Sequence, residues 1–129
     1  MGAQVPIRRV GRRSGEMGES MFDTEAVNAL PEVASTVVGD RRGVLVEAVN
    51  EPDGEAIAAV SGYAATYFSE AGERLGLGTL SRLHISGGQQ ASLLFVEGDV
   101  LMSARVAPGR PLADVERKVD AVLAQGSGQ

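Results

Sequence analysis

Residues 50–77 read NEPDGEAIAAVSGYAATYFSEAGERLGL, and this stretch decides the fold. Asn50, Pro52 and Asp53 supply a capping residue, an early-turn proline and acidic charge near the positive end of a helix dipole. Ile57, Val60, Ala64, Phe68, Ala71 and Leu75 recur at intervals of three or four, and Gly76 stands where a left-handed C′ residue ends a helix. The spacing predicts a helix over 53–75 with those six residues as its buried face. Its other side carries Ala58, Ala59, Gly62, Thr66 and Ser69, flanked by Tyr63, where a solvent face would show lysine and glutamate. Residues so small and uncharged predict a second helix lying close against them.

Upstream, Ser20 and Asp23 have capping-box spacing, and Phe22, Ala26, Val27 and Leu30 recur at helical intervals. This short helix should stop at Leu30, because Pro31 pushes its predecessor out of the α region. The β-branched runs 34–38 and 44–49, separated by Gly39-Asp40-Arg41-Arg42-Gly43, predict a β-hairpin. Downstream, Thr79–Ser86, Ala91–Val96 and Val100–Val106 read as strands, with Gly98-Asp99 as a tight turn between the last two. The run 91–96 is apolar on nearly both faces, so helices should cover both sides of the sheet. Pro111 opens a final helix whose buried stripe is Leu112, Val115, Val119, Val122 and Leu123, with Gly126 past its end. The order is α-β-β-α-β-β-β-α, an α/β three-layer sandwich around a five-stranded antiparallel sheet.

The length of 129 residues fits one domain with a real core, and 43% hydrophobic with 22% charged residues is an ordinary globular composition. Residues 21–125 are read as that domain, 1–20 as a disordered basic leader and 126–129 as a frayed tail. No cysteine occurs, which excludes disulfides and thiolate chemistry and suits a reducing cytoplasm. Arg8, Arg9, Arg12 and Arg13 against Glu16 and Glu19 make the leader +2, so the net charge of −5 leaves −7 on the rest. A body of that sign repels phosphate backbones, and the arm lacks aromatic stacking residues, so no nucleic-acid partner is expected. Met17 and Met21 offer internal starts that would remove the arm. No apolar run approaches the roughly 20 residues of a membrane span, and the expected setting is cytoplasmic.

The element order over about 100 residues resembles the Roadblock/dynein-light-chain family, relatives of longin domains. Leu30-Pro31-Glu32-Val33 through Gly39-Asp40-Arg41-Arg42-Gly43-Val44-Leu45 resembles that family's short helix, first strand, acidic-glycine turn and second strand. Ala65 to Leu77, ATYFSEAGERLGL, resembles the end of its long helix, and the likeness spans about 22–125. The resemblance implies homodimers or Roadblock-family heterodimers, joined sheet edge to sheet edge with the long helices side by side. It further implies a stand-alone bacterial member of the MglB type, which controls a Ras-like GTPase in cell polarity and motility; other members are scaffolds.

An active site needs a nucleophile, an acid or base, and a group that fixes substrate. The inventory here is thin. His84 is the only histidine, alternating with Arg82 and Ser86 along a strand, and without a second ligand it reads as a surface or interface residue. Gly76-Leu77-Gly78 and Gly87-Gly88 lack the Lys-Ser or Lys-Thr pair of a phosphate loop and read as a helix stop and a turn. Glu51, Asp53 and Glu55 complement a helix dipole, and Glu97 and Asp99 flank a turn, so neither group calls for calcium or magnesium. The expectation is a protein without catalytic residues, metal or cofactor. Its contact or dimer seam would use Glu55, Ala59, Gly62, Tyr63, Thr66 and Glu70, with Arg82 and His84 on the strand at the dimer edge. Two functions compete: a dimeric regulator of a Ras-like GTPase, and a structural dimerisation scaffold with no effect on nucleotide turnover.

Overall fold

The structure, a computed structural model, describes Arg8–Arg9 and residues 22–107 and 109–127. In chain order the elements are β1 (Arg8–Arg9), α1 (Thr24–Asn28), β2 (Val33–Asp40), β3 (Leu45–Val49) and α2 (Gly54–Arg74). They continue with β4 (Arg82–Ser86), β5 (Ala91–Glu97), β6 (Val100–Val106) and α3 (Leu112–Ser127). The sheet order is β1-β3-β2-β6-β5-β4, with every neighbouring pair antiparallel. The expected five-stranded antiparallel sheet between helical layers is therefore present, and the two residues of β1 extend it at the β3 edge. Apart from Arg8–Arg9, the expected leader lies outside the described residues, as do 128 and 129 at the tail.

Local chemistry explains where the elements begin and turn. α1 starts at Asp23, whose Oδ1 accepts from the Ala26 amide at 3.2 Å, so the cap is Asp23 and not Ser20. The β2–β3 turn is held by Asp40, whose Oδ1 accepts from the amides of Arg42 and Val44 at 2.9 and 3.0 Å. The two-residue turn between β5 and β6 works because Gly98 takes φ +61°, which costs glycine nothing. Asn50, expected to cap α2, instead takes φ +60° in the turn ahead of it, and the cap position is Asp53. β4 starts at Arg82, three residues later than the expected Thr79, and α3 runs through Gly126 to Ser127.

The two faces of the sheet are filled differently. Under α1 and α3 lies one continuous core that includes Val27, Leu93, Phe95, Met102, Val115 and Val119, all fully buried or nearly so. Leu112, Val122 and Leu123 complete the α3 stripe as partly buried residues, as the periodicity anticipates. Under α2 lie two small clusters, one around Val37, Leu45 and Ala58 and the other around Ala65, Leu94 and Leu101.

Candidate functional site

The side of α2 that meets the sheet is Gly54, Ala58, Gly62 and Ala65, a stripe of small residues spaced by four, four and three. This corrects the orientation expected from hydrophobic size. At about 100° per residue, the buried side is turned by roughly 110° from the Ile57–Leu75 stripe. The reason is close approach of backbone to backbone: a Cβ on Gly62 would lie 2.7 Å from the Gly43 nitrogen and 3.0 Å from the Arg41 carbonyl oxygen. Gly62 therefore seats α2 on the β2–β3 turn of its own protomer and is buried there. Arg41 tightens the same junction, donating from Nε to the Gly98 carbonyl at 2.8 Å and from Nη1 to Ser69 Oγ at 3.3 Å.

Part of what faces outward is large and apolar. Val60, Tyr63 and Tyr67 are 66%, 74% and 57% exposed, and Phe68, Leu75 and Leu77 are exposed as well. Tyr67 and Phe68 meet edge to face with ring centroids 5.0 Å apart. Isolated exposed apolar side chains are ordinary, but a group of them along one helix marks a binding surface. Across from it, Ile85 on β4 is also exposed, and β4 is the sheet's end strand with only β5 beside it. An end strand offers unpaired backbone donors and acceptors for another chain.

Of the expected contact residues, Glu55, Ala59, Tyr63, Thr66 and Glu70 are all exposed and form one flank of α2. Arg82 and His84 do not join them, because they point to the α3 side of the sheet. There Arg82 donates to Glu116 at 3.0 Å and to Asp120 at 2.7 Å, with its guanidinium 4.6 Å above the Phe95 ring. His84 Nε2 lies 2.9 Å from Glu116 Oε1. These two residues tether α3 to the end strand. Val60, Tyr67, Phe68 and Ile85 were not singled out as contact residues, although the small-residue spacing at 54, 58, 62 and 65 would have turned the three on α2 outward.

A second polar constellation sits where α2 begins. Glu51, grouped above with the dipole acids, is buried. Its Oε1 accepts from Ser35 Oγ at 3.1 Å and from Arg105 Nη2 at 2.5 Å, and its Oε2 accepts from the Asp53 amide at 3.2 Å. On the opposite side Lys118 donates to the nearly buried Glu32, and this hydrogen bond, with help from the residue's own amide, holds the Glu32 carboxyl below the ordinary glutamate range. Among the described residues no group of acidic or histidine side chains is arranged to hold a metal ion, and no helix is long and apolar enough to cross a membrane.

No family model matches this chain, and no curated protein sequence does. Solved structures do. A Roadblock/LC7 domain from Streptomyces avermitilis superposes with a TM-score of 0.69 at 14% identity, over 81% of this chain and 90% of that one. This chain therefore has the Roadblock/LC7 fold. Myxococcus xanthus MglB matches with a TM-score of 0.67 at 11% identity, covering 82% of this chain and 88% of that one. A further MglB structure, described as having a tetrameric arrangement, gives 0.69 at 13% identity over 78% of this chain and 79% of its own.

Proposed function

We propose that this protein is a dimeric, non-enzymatic regulator of a Ras-like GTPase, acting in the cytoplasm. The observation that carries the reading is the exposed apolar side of α2 next to the open β4 edge. A second Roadblock-type protomer would cover Val60, Tyr67, Phe68 and Ile85 while extending the sheet at β4. The other flank, Glu55, Ala59, Tyr63, Thr66 and Glu70, would then remain available to the GTPase. The tetrameric arrangement of one MglB neighbour supports a fold that self-associates, and the family resemblance supports the choice of partner.

Regulation without a catalytic residue works by shifting the GTPase's own switch loops, which requires preferential affinity for one nucleotide state. An inserted arginine is the other route to faster hydrolysis. Arg74, in the last turn of α2, is the only arginine on that helix. GTP hydrolysis by a cognate GTPase, measured with wild type, Arg74→Ala and Tyr63→Ala, separates the two. Stimulation should survive Arg74→Ala and fall in Tyr63→Ala. Loss in Arg74→Ala alone, with folding and binding intact, would instead identify a catalytic finger. If no candidate GTPase is bound with nucleotide-state preference, the scaffold reading replaces regulation.

A further inference from the structure

The open edge of β4 has a fixed parity. Val96 donates its amide to the Ser81 carbonyl at 3.0 Å and Gly87 donates to the Gln90 carbonyl at 2.8 Å, just outside the two ends of the β4–β5 ladder. Bonded positions alternate along an antiparallel pair, so Leu83 and Ile85 direct their backbone groups to β5, while Arg82, His84 and Ser86 turn theirs to the free side. The dimer proposed above extends the sheet at this edge. A two-fold pairing that uses all three outward positions has one register, in which Arg82 meets Ser86 of the partner subunit and His84 meets His84 of the partner subunit. Directly opposite residues of such a bonded pair lie about 5.5 Å apart between Cα atoms and share a face of the sheet. The chain's only histidine is therefore brought against its own copy.

His84 brings a second ligand with it. Glu116, on α3 and 32 positions away, holds Oε1 2.9 Å from His84 Nε2, and Arg82 fixes its Oε2 at 3.0 Å. Two ligands about 2.0–2.1 Å from a tetrahedral zinc ion lie roughly 3.3 Å apart, so this nitrogen and oxygen need to open only slightly to share one. Both side chains are partly exposed and reachable from solvent. One chain offers two ligands; two chains offer four, and two imidazoles with two carboxylates complete a tetrahedron of zinc-type donors. Arg82 supplies the hydrogen bond that orients a ligating carboxylate, while its other arm stays on Asp120 at 2.7 Å. Charge agrees: with His84 neutral, Arg82 stands against both Glu116 and Asp120, so each copy carries a local −1 and the two copies −2. We propose that a zinc ion bridges the dimer on the α3 side of the β4 seam, ligated by His84 through Nε2 and Glu116 through Oε1 of each chain. The imidazole's one proton then sits on Nδ1. This inference rests on the dimer reading and adds a ligand to it.

Titration calorimetry of the full chain with zinc chloride tests it, together with sedimentation in zinc and in a chelator. Zinc should saturate at one ion per two chains and tighten the dimer by about tenfold or more, because a ligand that binds only the dimer draws association forward. Magnesium should do neither, since it takes oxygen ligands. His84→Gln should lose both zinc effects while still forming the dimer in chelator. Glu116→Gln, which leaves Arg82 paired with Asp120, should weaken zinc by at least the roughly tenfold that losing a supporting partner costs. One ion per chain, unsaturable uptake, an equal response to magnesium, or an unchanged zinc response in His84→Gln overturns the inference. The two readings fail differently. A chain that is dimeric in chelator and unmoved by zinc removes the zinc site and leaves the dimer standing, whereas a chain that is monomeric in both conditions removes the dimer and the zinc site with it.

Discussion

The two faces of the sheet were built to different standards of completion. Beneath α1 and α3, large side chains such as Phe95, Leu93 and Met102 interlock into one core that the chain closes by itself. Beneath α2, small residues bring a helix backbone close to a turn, the core divides in two, and the helix's larger side chains face solvent. A face closed from within stabilises the fold, whereas a face left apolar on its outside is suited to another molecule. Stability and recognition are thus separated by the thickness of one sheet, which makes the separation testable residue by residue.

The largest effect should come from the closed face. Phe95→Ala removes a fully buried ring beneath Arg82 and should cost about 4 kcal/mol in urea unfolding. A cost under about 1 kcal/mol would show that this core is not the main source of stability. Next comes the seat of α2. Gly62→Val places a side chain against the Arg41–Gly43 backbone and should destabilise by about 3 kcal/mol, seen as a lowered melting temperature. A Gly62→Val protein that melts like wild type while losing self-association would return Gly62 to an interface.

Tyr67→Ala addresses the open face. It should leave unfolding within about 0.5 kcal/mol of wild type, since the ring is mostly solvent-exposed within the protomer. Association measured by sedimentation should nevertheless weaken by about 2 kcal/mol, roughly thirtyfold. The smallest effect is the titration of Glu32. Its carboxyl is held below the ordinary glutamate range, chiefly by Lys118, so the unfolded chain takes up the proton first as pH falls. The stabilisation is complete above the ordinary range and is lost as pH drops through the depressed value. Urea melts from neutral pH to about pH 3 should show this decline, and Lys118→Gln should flatten it. An identical pH profile in the variant would assign the acid sensitivity to other carboxylates.

Element order was legible because period and punctuation are local properties. The two hairpins, the long α2 and the α3 stripe follow from spacing, Pro31, Pro111 and Gly98. The facing of α2 was harder to read. Hydrophobic size marks which side chains gain most from leaving water, and it ignores the case in which a helix must approach a turn so closely that only glycine and alanine fit. Gly62 thus looked like a partner seam when it seats the helix on its own protomer. Tyr63 and its flank are exposed in the protomer, because a position there turns away from the sheet in either orientation. The pairings of Glu51 and Arg82 were illegible for another reason: their partners, Arg105 and Glu116, are 54 and 34 positions away in sequence. No local pattern encodes such a pairing.

The pairing of Arg8 and Arg9 with Ala48 and Glu47 bears on how copies of the chain can combine. A sheet with two open edges can add chains at both, and repeated head-to-tail addition gives a filament. Here two of the five residues of β3 are paired with β1 along its outer side, while among the described residues β4 at the other end has no strand on its outer side. Joining β4 to β4 is self-complementary: each copy offers the same strand and receives the same strand, and the operation uses up the edge that, among the described residues, is open along its whole length. The symmetry closes at two, so a chain that extends its sheet this way ends its own growth in the first step.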